Sequence, residues 1–105
     1  MKSHPYAWLK IELSEAFRGC GFIETKEALS PDDFGSAYSE WSNTRREIRL
    51  IWDGKEGCAL LELKQNGSWS VLVDALTEAD LEGREIDTHA VQLWKEAILK
   101  LGQRA

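Results

Sequence analysis

Between residues 35 and 76 the apolar pattern has a period of two, weak in "SAYSEW" and clear in "REIRLIW", "CALLEL" and "WSVLVDAL". Period two is the signature of a strand, whose successive side chains alternate across a sheet. The segments between the runs hold no more than five residues. Connections so short cannot carry a crossover, so consecutive strands must be antiparallel neighbours. The middle of the chain therefore predicts a three- or four-stranded antiparallel meander. Ile48, Leu50 and Trp52 share one face, with Glu47, Arg49 and Ile51 on the other. Ala59, Leu61 and Leu63 fall together, as do Trp69, Val71 and Val73. Asn66-Gly67 is a hairpin signal.

Helical spacing flanks the meander. Tyr6, Leu9, Leu13, Ala16 and Phe17 form one stripe, with Ser3 as cap, Pro5 in the first turn, and Gly19 and Gly21 ending the helix. Ala90, Val91, Trp94, Ala97, Ile98 and Leu101 form a second stripe, capped by Asp87 or Thr88 and closed by Gly102. Thr77 and Asp80 have the spacing of a cap for a short helical turn. Residues 22–34 read as a short strand or an irregular arm, with a turn at "SPDDF". The expected fold is α+β, one domain over residues 1–105: an N-terminal helix, the meander, and a C-terminal helix packed on the sheet.

The stretch Asp53-Gly54-Lys55-Glu56-Gly57 raises the question of a metal or catalytic loop. A calcium loop needs several oxygens arranged around the ion. Here one Asp and one Glu lie three apart with a Lys between them, and two glycines suit positive φ. The spacing predicts a turn. Elsewhere there is no G-x-S-x-G, no phosphate-cradling glycine loop and no H-E-x-x-H. His4 and His89 lie at opposite ends of the chain, and Cys20 and Cys58 have no C-x-x-C spacing. The expectation is a protein that is not an enzyme and carries no cofactor or metal.

Charge narrows the partners. A formal net charge of −5 repels phosphates, which argues against nucleic acid, and attracts a basic partner. Two cysteines in such a chain read as small packed hydrophobes rather than a disulfide. No apolar run reaches the ~20 residues that span a membrane, and "MKSHPYAWLKIELSEAF" lacks a signal-peptide core. The expected location is the cytoplasm.

Two features point to binding. Residues 74–87 carry Asp74, Glu78, Asp80, Glu82, Glu85 and Asp87 against Arg84 alone, a patch suited to a basic protein surface. A solvated, helix-capping stretch is the plainer reading of the same charges. Five Trp is a high number for 105 residues. Trp52 and Trp94 belong to core stripes, whereas Trp8 lies nearly opposite Leu13 and Trp41 sits in a weakly alternating strand, so both are candidate interface anchors. Arg45, Arg46, Arg49 and Lys55 form the one basic cluster, which reads as a strand face paired with Glu47 and Glu62.

The segment "NGSWSVLVDALTEADLEG" resembles parts of small bacterial immunity proteins, in which an Asn, Gly and Trp precede an alternating strand and an acidic loop. The likeness spans less than a fifth of the chain and assigns no residue a role. It implies a bacterial protein that neutralises a toxin. The expectation is thus an acidic, protein-binding domain of the immunity or antitoxin type that occludes a basic partner through residues 74–87, Trp8 and Trp41. The alternatives are a small-ligand domain with a pocket lined by Trp52, Trp69 and Trp94, and a homodimer pairing through a sheet edge near Tyr38 and Trp41.

Overall fold

The computed structural model describes residues 5–30, 32, 35–77 and 88–103. Helix α1 spans Pro5–Gly19 and presents Leu9, Leu13 and Phe17, all fully buried. Its end is a Schellman motif: Phe22 N–H donates to the Phe17 carbonyl at 2.9 Å and Gly21 N–H to the Arg18 carbonyl at 3.0 Å. Gly21 takes the left-handed conformation, φ 77°, that the motif requires; Gly19 does not. The accompanying apolar contact is the edge-to-face pair of Phe17 and Phe22, with ring centroids 6.1 Å apart.

Five strands follow in chain order: β1 (Ile23–Ser30), β2 (Ser36–Ser42), β3 (Glu47–Asp53), β4 (Cys58–Gln65) and β5 (Ser68–Thr77). They form one antiparallel sheet in the order β1-β2-β3-β4-β5. The meander is therefore one strand larger than the upper bound expected. The additional strand is β1, whose residues are exposed apart from the half-buried Ala28, so no in–out alternation marks it. A bulge at Thr25 also breaks its period: Glu24 pairs with Trp41, but Lys26 already pairs with Glu40. The Thr25 hydroxyl donates to the Glu40 carbonyl at 3.2 Å and ties the bulge to β2.

Helix α2, Thr88–Gln103, lies beside α1 and over β5. The helices and the inner sheet face enclose Ile48, Leu50, Leu61, Trp94 and Ile98 with no exposed surface to speak of. Burying each such side chain stabilises the fold by about 1.5–3 kcal/mol. The inner and outer sets of β3 and β4 are those expected from period two. Strand β5 departs from expectation. Val71 pairs with Glu62 on the outer face, yet Val73 pairs with Leu61 on the inner face, because Leu72 is an extra residue in the ladder. A second irregularity, between Leu61 and Ala59, brings Leu76 inward as well.

The stretch Asp53-Gly54-Lys55-Glu56-Gly57 is a turn. Gly57 N–H donates to the Asp53 carbonyl at 2.8 Å, and Asp53 Oδ1 accepts the Lys55 and Glu56 amides, each at 3.1 Å. Gly57 sits at φ 68°. Asn66 and Gly67, at φ 52° and 81°, close the β4–β5 hairpin in the primed-turn geometry that their dipeptide favours.

Candidate functional site

Helix α1 covers the inner face over the middle of the sheet but not over its β1 edge. Between one flank of α1 and the inner side of β1 and β2 lies a groove of about 780 Å³. The α1 wall carries Tyr6, Lys10, Ile11, Ser14 and Arg18. Tyr6, Lys10 and Ser14 are spaced at i, i+4, i+8, which stacks them along one side of the helix. The floor is Ala37 and Trp41 of β2, and the far rim is Glu24, Glu27 and Leu29 of β1. Ile11 is 72% exposed and Leu29 is 63% exposed, so two large apolar side chains border the groove facing water.

Trp41 makes the floor rigid. Its ring stacks on Phe17 at 4.5 Å with planes 12° apart, and its Nε1–H donates to Ser39 Oγ at 3.0 Å. Ser39 is itself fully buried on the same face.

The bulge at Thr25 brings two carboxylates into the groove. In a regular strand, Glu24 and Glu27, three apart, would point to opposite faces. The extra residue puts both on the inner side, opposite Trp41 and Ser39. Lys10 Nζ pairs with Glu24 and with Glu27, and the Tyr6 hydroxyl donates to Glu27 at 2.7 Å. Partial burial pulls the Lys10 ammonium pKa down, but the hydrogen bonds to Glu24 and Glu27 outweigh it, and the net shift is upward. The hydrogen bond from Lys10, with a second from Tyr6, holds the Glu27 carboxyl below its ordinary range. Burial pushes the Tyr6 phenol well above its ordinary value. The Lys10 ammonium also lies 6.0 Å from the centre of the Trp41 ring. All of these contacts fall on the Oε2 atoms of the two glutamates.

The described residues among those singled out from sequence are dispersed. Trp41, expected as a projecting anchor, is only 6% exposed and serves as floor, because Phe17 and Ser39 hold it down. Trp8 is half-buried against the core. It shares a flank of α1 with Glu12, which pairs with Lys95 of α2 at 3.5 Å. At 100° per residue this flank is opposite that of Lys10 and Ser14, so Trp8 is no part of the groove. Asp74 lies in β5, at the sheet edge remote from β1. Glu78, Asp80, Glu82, Glu85 and Asp87, like His4, lie outside the described residues. The proposed cap at Thr77 and Asp80 falls there too, except that Thr77 ends β5.

Three further expectations are corrected. Trp52 and Trp94 are buried in the core while Trp69 lies on the outer face, so these three cannot line one pocket. The strand bearing Tyr38 and Trp41 is not an edge, since β1 covers it. Arg45 and Arg46 sit in the turn before β3 and Lys55 in the turn after it, at opposite ends of that strand, so the basic cluster does not assemble. Arg49 alone is on the strand and pairs with Glu62 at 2.7 Å. Both cysteines are free and partly buried. Burial, with Asp53 and Glu56 nearby, raises the Cys58 thiol pKa, the opposite of what activates a nucleophile.

The groove was missed from sequence because a bulge leaves no compositional mark. The i, i+4 row of Tyr6, Lys10 and Ser14 was legible, but its facing strand was not. No helix among the described residues is long and apolar enough to cross a membrane, and no group of three or more acidic, His or Cys side chains among them could hold a metal ion. No family model, curated protein or solved structure matches the chain, so the groove's geometry carries the functional argument.

Proposed function

We propose that this chain is a protein-binding domain that seats a segment of a basic partner in the groove between α1 and β1–β2, and by doing so occludes the partner. The observation that carries the reading is the pair Ile11 and Leu29, held exposed on the two sides of a groove of about 780 Å³. Large apolar groups kept in water around a concave site mark interaction surfaces. The net charge of −5 supports a basic partner through steered encounter. In this reading the acidic residues 74–87 contribute to the steered approach of the partner, and Asp74 lies in β5, at the edge of the sheet opposite β1. Neutralisation of a toxin in the bacterial cytoplasm is the particular form that the immunity-protein likeness suggests.

A second reading has its own support. The groove's volume lies within the range of about 300–1,000 Å³ typical of small-molecule sites. Co-purification from native cells at low and high salt separates the two, using the wild type beside Ile11→Glu and, as a control on the outer face, Val71→Glu. Val71 is 57% exposed, so its change tests a surface of comparable apolarity. A basic protein held by the wild type and Val71→Glu, shed as salt rises and lost by Ile11→Glu, supports the proposal. A partner still held by Ile11→Glu overturns the groove as its seat. A partner-free protein whose tryptophan fluorescence responds to a metabolite panel favours the small-ligand reading.

A further inference from the structure

The two edge strands of the sheet are held in different ways. At the β5 edge, Leu76 is buried and Leu72 and Val73 pack against the core. At the β1 edge no residue of Ile23–Ser30 is buried, and Ala28 alone is half-buried. Strand β1 therefore stays in place through its ladder with β2 and through polar side-chain contacts. Two of these return to β2: the Thr25 hydroxyl donates to the Glu40 carbonyl, and the Lys26 ammonium lies 5.6 Å from the centre of the Tyr38 ring. The others reach α1, where Lys10 pairs with Glu24 and Glu27, and Tyr6 donates to Glu27. Exposed hydrogen bonds and partly exposed ion pairs each contribute little net stability. A strand held only by them opens at a fraction of the free energy that unfolds the core. Phe22, buried against Phe17, anchors the start of the strand, so the strand swings from that end. Gly35, at φ 75°, gives the chain beyond its other end the freedom to follow.

We infer that β1 is a movable wall of the groove, latched to α1 by Lys10 and Tyr6, and that it swings away from α1 and β2 to widen the groove for the partner's segment. That the opening serves the partner rests on the groove being its seat. With β1 displaced, Glu24 and Glu27 no longer hold the Lys10 ammonium, which lies 6.0 Å from the centre of the Trp41 ring. The floor of Ala37 and Trp41, buried in the closed form, then gains exposed area. The closed latch keeps that apolar floor out of water until a segment covers it.

The test is hydrogen exchange of the full chain, followed amide by amide in rising urea. Amides paired across β1 and β2 are expected to exchange through an opening of weak urea dependence, at least ~10-fold more often than those of β3 and β4, which open with the whole molecule. Lys10→Met keeps the stem and removes the charge. It should speed the β1–β2 class about 10-fold, because the opening no longer has a latch to break. Arg49→Ala breaks the outer-face pair with Glu62, which the swing of β1 leaves intact. It should speed the β3–β4 class about 5-fold and leave the β1–β2 class unchanged. One class for the whole sheet, with one urea dependence, would overturn the movable wall. So would a β1–β2 class that Lys10→Met leaves unchanged, or that Arg49→Ala speeds as much. The exchange needs no partner, whereas the groove as a seat is read from partner retention, so the two fail separately.

Discussion

The two faces of one sheet treat charge in opposite ways. On the outer face, the row Lys26, Glu40, Arg49 and Glu62 alternates in sign across four strands, and Arg49 closes on Glu62 at 2.7 Å. Arg49 also covers Trp69, its guanidinium 4.4 Å from the ring centre, with Lys64 at 5.8 Å from the same ring. Lys64 in turn pairs with Glu47 at 3.5 Å. Every charge in that array has a neighbour of the other sign, and cations shield both Trp69 and Tyr38, the latter with Lys26 5.6 Å from its ring centre. On the inner face, beyond the cover of α1, two carboxylates share one ammonium beside unshielded Ile11 and Leu29. A surface whose charges and aromatics are paired off has little to gain from a partner; a concave one with wet apolar groups on both of its sides gains from covering them.

That contrast can be broken at several points, and the largest effect should come from beneath the groove. Phe17→Ala removes a fully buried ring that stacks on Trp41 and meets Phe22. It should cost about 3–5 kcal/mol in urea unfolding and abolish partner retention, because the floor loses its support. Next is Ile11→Glu. Exposed positions tolerate substitution, so stability should stay within ~0.5 kcal/mol while partner affinity falls at least ~10-fold by calorimetry. If affinity holds, the groove is not the seat. On the outer face, Arg49→Ala loses a partly buried ion pair and the contact with Trp69. A loss of about 1 kcal/mol with unchanged affinity is expected, and a loss of affinity would erase the distinction between the faces.

The smallest effect is in the pH dependence of the groove. Glu27 titrates below its ordinary 4.5, so its contribution to stability is present above that value and disappears as pH falls through the folded-state pKa. Lys10 and Tyr6 are shifted upward from 10.5 and 10.0, so theirs is present at lower pH and disappears as pH rises through the folded-state values. Tyr6→Phe should therefore cost about 1 kcal/mol at neutral pH, from the hydrogen bond to Glu27, and flatten the alkaline decline that begins near pH 10. Urea midpoints across the pH range check both limbs. An unchanged alkaline limb would remove Tyr6 from the electrostatics of the groove.

Sequence alone determined whatever depends on neighbours in the chain. The stripes of α1 and α2 predicted their buried sides, and Gly21 the end of the first helix. The inward sets of β3 and β4 followed from period two, and the Asp53-Gly54-Lys55-Glu56-Gly57 and Asn66-Gly67 turns from their glycines. Those signals are local because dihedral preferences and side-chain periodicity act over a few residues. Tertiary structure decided the rest. The strand β1 exists through pairing with β2, since its exposed residues have no alternation to announce it. The bulge at Leu72 turned Val73 inward, and the bulge at Thr25 put Glu24 and Glu27 on one side. Phe17, 24 positions away in the chain, drew Trp41 out of water. An extra residue in a ladder reverses every side chain after it, and only the partner strand fixes where that residue falls.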